Sequence, residues 1–261
     1  MRLRKLEEKD FQVLRGPLES GRQSPKANSG TLLLAIPLAV FMYVILYVVL
    51  GWGQDFPYPY QKQILFVCFA IQVTMILSSI IFAVPVVYKR NENLQYAVFI
   101  VASQNLFTIP AYLMTIFIAA ESNASNSSLL IFTFITLLLG VLVFVATCVR
   151  FSILLKKGQY RKGSKKDKSR VHLEKKSLIS IGIFGGLMAL YIIQYIARHF
   201  DYIQVDSIFI AVLGMGIFYT MIFVLQEQLV ILYCKYRFDS FNFEPSGEIK
   251  PFRDENENMV S

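Results

Sequence analysis

Polar and apolar residues in this chain are sorted into blocks. Six apolar runs, at about residues 31–52, 64–88, 95–119, 129–149, 177–197 and 205–225, are separated by polar intervals. Each is long enough to cross a bilayer, which takes about 20 residues of helix. A helix covering a soluble core shows an apolar stripe every three to four residues, whereas these runs are apolar all round. The pattern predicts an all-α, polytopic integral membrane protein. Six transmembrane helices form a bundle over 31–233, the last ending near Leu225 or running on to Tyr233.

The polar intervals carry local signals. Residues 1–30 form a tail in which Leu3, Leu6, Val13 and Leu14 recur at loose helical spacing among Arg2, Arg4, Lys5 and Lys9. This predicts a short amphipathic helix on the membrane surface. Gly21 to Gly30 reads as a loop, with Ser24-Pro25 and Asn28-Ser29-Gly30 as breakers. Trp52 is followed by Phe56-Pro57-Tyr58-Pro59-Tyr60. Such aromatics prefer the headgroup level, and the alternative is the lip of a ligand site. Asn123-Ala124-Ser125 and Asn126-Ser127-Ser128 match the N-glycosylation triplet and serve equally as turn chemistry in a short loop. Residues 234–261 form a second tail, whose end reads as disordered.

Charge orients the bundle. Of 26 Lys and Arg residues, seven lie in the first tail, two between the second and third runs, eleven in 150–176 and four in the last tail. The other intervals hold only Lys62 and Arg198. Basic residues accumulate on the cytoplasmic side, which predicts cytoplasmic N- and C-termini in the plasma membrane. The 150–176 loop concentrates Lys156, Lys157, Arg161, Lys162, Lys165, Lys166, Lys168 and Arg170. It should attract anionic headgroups at about 1 kcal/mol per basic residue near the surface, or dock a membrane or cytoplasmic protein. The net charge of +8 is thereby a topological signal, and no nucleic-acid partner is expected.

Catalysis finds little support. The chain has no phosphate-cradling glycine loop and no HExxH. His172 and His199 fall on opposite predicted sides of the membrane. Cys68, Cys148 and Cys234 show no paired spacing and read as reduced packing residues. The expectation is a non-enzyme without cofactor or metal.

Polar residues inside the runs are the candidates for function. Gln72, Gln104 and Asn105 fall near mid-depth, and Pro110 cannot donate to the carbonyl of Leu106. Together they read either as the lining of a pathway or as hydrogen bonds that hold the bundle together. Glu227 and Arg150 sit at similar depth and read as an inner-gate pair, or as solvated interfacial charges. Gly182 and Gly186 in the fifth run, and Gly214 and Gly216 in the sixth, predict close packing of those two helices as a hairpin. Self-association through such faces is compatible with the sequence. The leading reading is a transport component such as a permease subunit or small carrier/exporter, and the alternative is a membrane accessory, immunity or assembly/regulatory protein that binds a partner in the membrane.

Overall fold

The computed structural model describes residues 6–51, 58–120, 125–164, 167 and 203–252. The fifth apolar run and its glycines, Gly182 and Gly186, lie outside the described residues, as do Lys165, Lys166, Lys168 and Arg170. All the regular elements described are helical: α1 (Gly16–Glu19), α2 (Pro25–Gly51), α3 (Gln61–Ala83), α4 (Pro85–Arg90), α5 (Glu92–Ala120), α6 (Asn126–Lys156) and α7 (Ile203–Arg237), with 3-10 turns at Glu8–Arg15 and Asp239–Phe241. The only β contact among them is an isolated bridge between Phe243 and Ile249. Five helices (α2, α3, α5, α6 and α7) are long and apolar enough to cross a membrane, the make-up of a membrane protein.

α5 is the centre of the bundle, packed against α2, α3 and above all α7. α5 and α7 run antiparallel: Glu92 meets Lys235, Gln104 meets Met221, and Thr115 meets Ala211. α6 and α7 run parallel, with Thr136 beside Tyr219 and Gly140 beside Phe218 and Ile222. The close α5–α7 approach requires a glycine. A Cβ on Gly214 would sit 2.6 Å from the Ala111 carbonyl and clash with the Thr115 hydroxyl. Gly214 thus packs against α5, while its predicted pairing with the fifth run lies outside the described residues. Gly216 faces open space.

Several boundaries differ from the sequence reading for identifiable reasons. The stretch read as a loop up to Gly30 is helical from Pro25. Ser24 caps it, its Oγ accepting from the Ala27 N–H at 3.2 Å, and proline is preorganised for the first helical position. The second run breaks before its predicted end. Val84, ahead of Pro85, takes an extended backbone (φ −72°, ψ 127°), because proline disfavours the α conformation in the residue before it. The break orphans carbonyls, and other helices supply the donors. Ser29 Oγ donates to the Ala83 carbonyl at 2.7 Å. Gln95, wholly buried, donates from Nε2 to the Phe82 carbonyl at 3.0 Å and the Pro25 carbonyl at 2.9 Å. The last helix continues past Tyr233 to Arg237.

The two tails meet at one end of the bundle. The expected surface helix is a 3-10 turn whose Phe11 and Leu14 are fully buried against Tyr96, Phe151, Tyr160, Ile231 and Phe241. Val13 N–H donates to the Tyr160 carbonyl at 2.9 Å, Arg15 to the Lys250 carbonyl at 3.1 Å, and Arg237 to the Leu6 carbonyl at 2.9 Å. Residues 8–19, 157–164 and 238–250 thus form a cap on this tail end. Burial pulls the Arg15 guanidinium below its ordinary value, opposed by the charges of Glu19 and Glu8. At the opposite, loop end, Tyr58 turns inward, while Tyr60 of the same aromatic stretch is exposed. Tyr58 is 6% exposed, stacks edge-on against Phe117 at 5.4 Å and bonds the Thr133 hydroxyl at 2.7 Å.

Gly214→Ala should destabilise the protein by about 1–3 kcal/mol through overpacking, whereas Gly216→Ala should be nearly neutral. Unfolding of both variants in bicelles measures the difference.

Candidate functional site

Consecutive residues on a helix point about 100° apart, and this separates the two mid-helix amides of α5. Asn105 faces α3, where its Nδ2 donates to Gln72 Oε1 at 2.8 Å in a buried contact. Gln104 faces α7, donating to the Met221 carbonyl at 3.3 Å and accepting from the Thr108 hydroxyl at 2.7 Å. The four residues read as one pathway lining, Gln72, Gln104, Asn105 and Pro110, are thus divided between two interfaces.

The α2–α3–α5 junction holds two small cavities, one on each side of the Gln72–Asn105 bond. The larger, of about 20 Å³, is lined by Tyr43, Cys68, Gln72, Asn105, Leu106 and Pro110 among others. The smaller, of about 10 Å³, reaches Ser79 and Ala102. A single water needs roughly 10–15 Å³, so neither holds more than one or two. The absence of an N–H on Pro110 leaves the Leu106 carbonyl beside the same amides.

A second polar seam runs between α5, α6 and α7. Tyr112 OH donates to the Thr133 carbonyl at 3.0 Å and pairs with Thr136 Oγ1 at 2.9 Å. Tyr219 OH donates to the Thr136 carbonyl at 3.1 Å. Tyr58 closes the seam at the loop end through Thr133. The sequence reading missed it, although a signal was present: Thr133, Thr136, Gly140 and Thr147 recur on one face of α6.

The charged candidates do not come together. Arg150 is exposed, Glu227 is half-buried, and the described residues contain no ion pair between them. Charges meet in the cap instead. Lys235, 3% exposed, pairs with Glu92 at 3.2 Å, donates to the Phe241 carbonyl at 3.1 Å and lies over the rings of Tyr96 and Phe243. Glu92 also accepts from the Phe243 N–H at 3.2 Å. Arg161 is committed to Asp10 at 2.7 Å, while Lys156, Lys157 and Lys162 remain exposed. Among the described residues, no cluster of His, Cys, Asp and Glu is arranged to hold a metal ion.

Asn105→Leu should cost about 1–2 kcal/mol, because it leaves the buried Gln72 oxygen without a donor. Adding Gln72→Leu should recover part of that loss, since an apolar pair has no orphaned group. A double-mutant cycle on unfolding free energy measures the coupling.

The chain matches no protein-family model, no curated protein and no solved structure.

Proposed function

We propose that this chain is a non-catalytic membrane accessory or assembly protein that acts by binding a partner. The supporting observation is that the mid-helix amides and hydroxyls bond one another, although Gln226 Oε1 and Gln228 Oε1 on α7 are buried without a hydrogen-bond partner among the described residues. Gln72 answers Asn105, Gln104 answers Thr108 and Met221, and Tyr112 and Tyr219 answer Thr133 and Thr136. The two cavities beside the Gln72–Asn105 bond are water-sized, which leaves a transported solute little room at the α2–α3–α5 junction. Surfaces available to a partner are the tail-end cap and the exposed Lys156, Lys157 and Lys162 beside it.

The topology belongs to the same proposal: six spans with both tails on the cytoplasmic side of the plasma membrane. α6 ends at the tail end and α7, parallel to it, starts at the loop end. This relation supports a sixth span between them, for which the apolar run 177–197 has the length. The excess of Lys and Arg at the tail end supports the cytoplasmic assignment.

Two measurements test these readings. With Cys148 and Cys234 replaced by serine and alanine, Cys68 beside the larger cavity should resist a membrane-impermeant methanethiosulfonate. Rapid labelling would favour the transport reading over this one. Cysteines at Lys62 and Lys157 should label only from opposite faces of the membrane. Labelling of both from one face would refute the topology.

A further inference from the structure

The break at Val84–Pro85 does more than end α3. It produces α4, a six-residue helix held against the start of α2. Tyr88 faces inward and is buried, while Val86 is 80% exposed and Lys89 and Arg90 are exposed at its end. α2 contributes exposed Lys26, one turn before Ser29, whose hydroxyl fixes the Ala83 carbonyl. Three exposed cations and an exposed valine thus lie on two helices in contact, where α2 begins and α3 ends.

Nothing in the described protein neutralises them. Lys26, Lys89 and Arg90 form no ion pair. The nearest carboxylate in sequence, Glu92, turns inward to Lys235 and the Phe243 N–H. Among the other basic residues at this end, Arg15 is engaged with the Lys250 carbonyl, Arg161 with Asp10 and Lys235 with Glu92, while Lys156, Lys157 and Lys162 after α6 are exposed. A basic group beside a span, set level with an exposed apolar side chain, is complementary to a phosphate on an acyl chain.

We propose that α4 and the start of α2 form a binding site for an anionic phospholipid. Its phosphate is held by Lys26, Lys89 and Arg90, and Val86 lies against its acyl chains. The site is distinct from the basic loop after α6, and it stands whether or not the protein binds a protein partner.

Native mass spectrometry of the full-length protein, released from mixed phosphatidylglycerol–phosphatidylcholine micelles, tests this. The wild type should retain phosphatidylglycerol over phosphatidylcholine. The triple variant K26Q/K89Q/R90Q should lose this preference by roughly tenfold or more, in line with the attraction of basic residues near an anionic surface. K156Q/K157Q/K162Q, in the loop after α6, should keep it, and millimolar inorganic phosphate should not compete. A triple variant that retains the preference, or a loop variant that alone abolishes it, would overturn the proposal. So would efficient competition by free phosphate, which would mark a soluble-anion site. The three side chains have no intramolecular ion pairs to lose, so the triple variant should keep its wild-type melting temperature. R90Q alone should give a smaller loss in the same direction, and an unchanged preference in a triple variant that melts normally counts against the site.

Discussion

A polar group inside a lipid-facing bundle has no water to fall back on, so it must be answered by another group of the protein. That constraint organises the helices around α5. Asn105 answers Gln72 on α3, Gln104 reaches the α7 backbone, Tyr112 reaches α6, and Gln95 repairs the Phe82 carbonyl at the end of α3. The surrounding apolar contacts, such as Phe218 against Tyr112 at 4.6 Å, fill space. They do not by themselves select the rotation of each helix, because lipid is as apolar as leucine. The hydrogen bonds fix the rotations, and Gly214 sets how closely α7 can follow.

The same constraint explains the proline positions. Pro85 ends a helix at a point where Ser29 and Gln95 supply the missing donors. Pro110 lies within a helix, beside Asn105 and Leu106, which share its cavity. At Pro85 the backbone defect is answered by a hydroxyl and an amide from neighbouring segments, and at Pro110 the amides of Gln72 and Asn105 share the cavity. The break at Val84 is therefore tied to Ser29 and Gln95, although these lie far from it in sequence.

The helical class and most of the long segments were legible in the sequence, because apolar length is a local signal that survives any tertiary arrangement. The mid-depth amides were legible as buried for the same reason. Their partners were not. Whether Asn105 and Gln104 face one site or two depends on helix rotation, which is set by groups on three other helices. The Ser24-Pro25 pair was read as a break because the signals that start a helix and those that interrupt one share residue types. The cap was hidden more deeply. Phe11, Leu14, Tyr160 and Phe241 are isolated apolar residues in polar segments, and only long-range pairing reveals them as one core. Lys235 likewise reads as a surface charge until Glu92, 143 positions away, is placed beside it.

The cap also bears on how the molecule is made. Its closing contacts join Arg15 to Lys250 and Leu6 to Arg237, across 235 and 231 positions. Helices enter a bilayer in the order of synthesis, and each can pack on those already present. The segment bearing Phe11 and Leu14 precedes its covering residues, of which Tyr96, Phe151 and Tyr160 come first and Ile231 and Phe241 last. Until α7 and residues 238–250 follow, two side chains that end fully buried lack part of their cover. The cap therefore closes only when segments far apart in the chain are all in place.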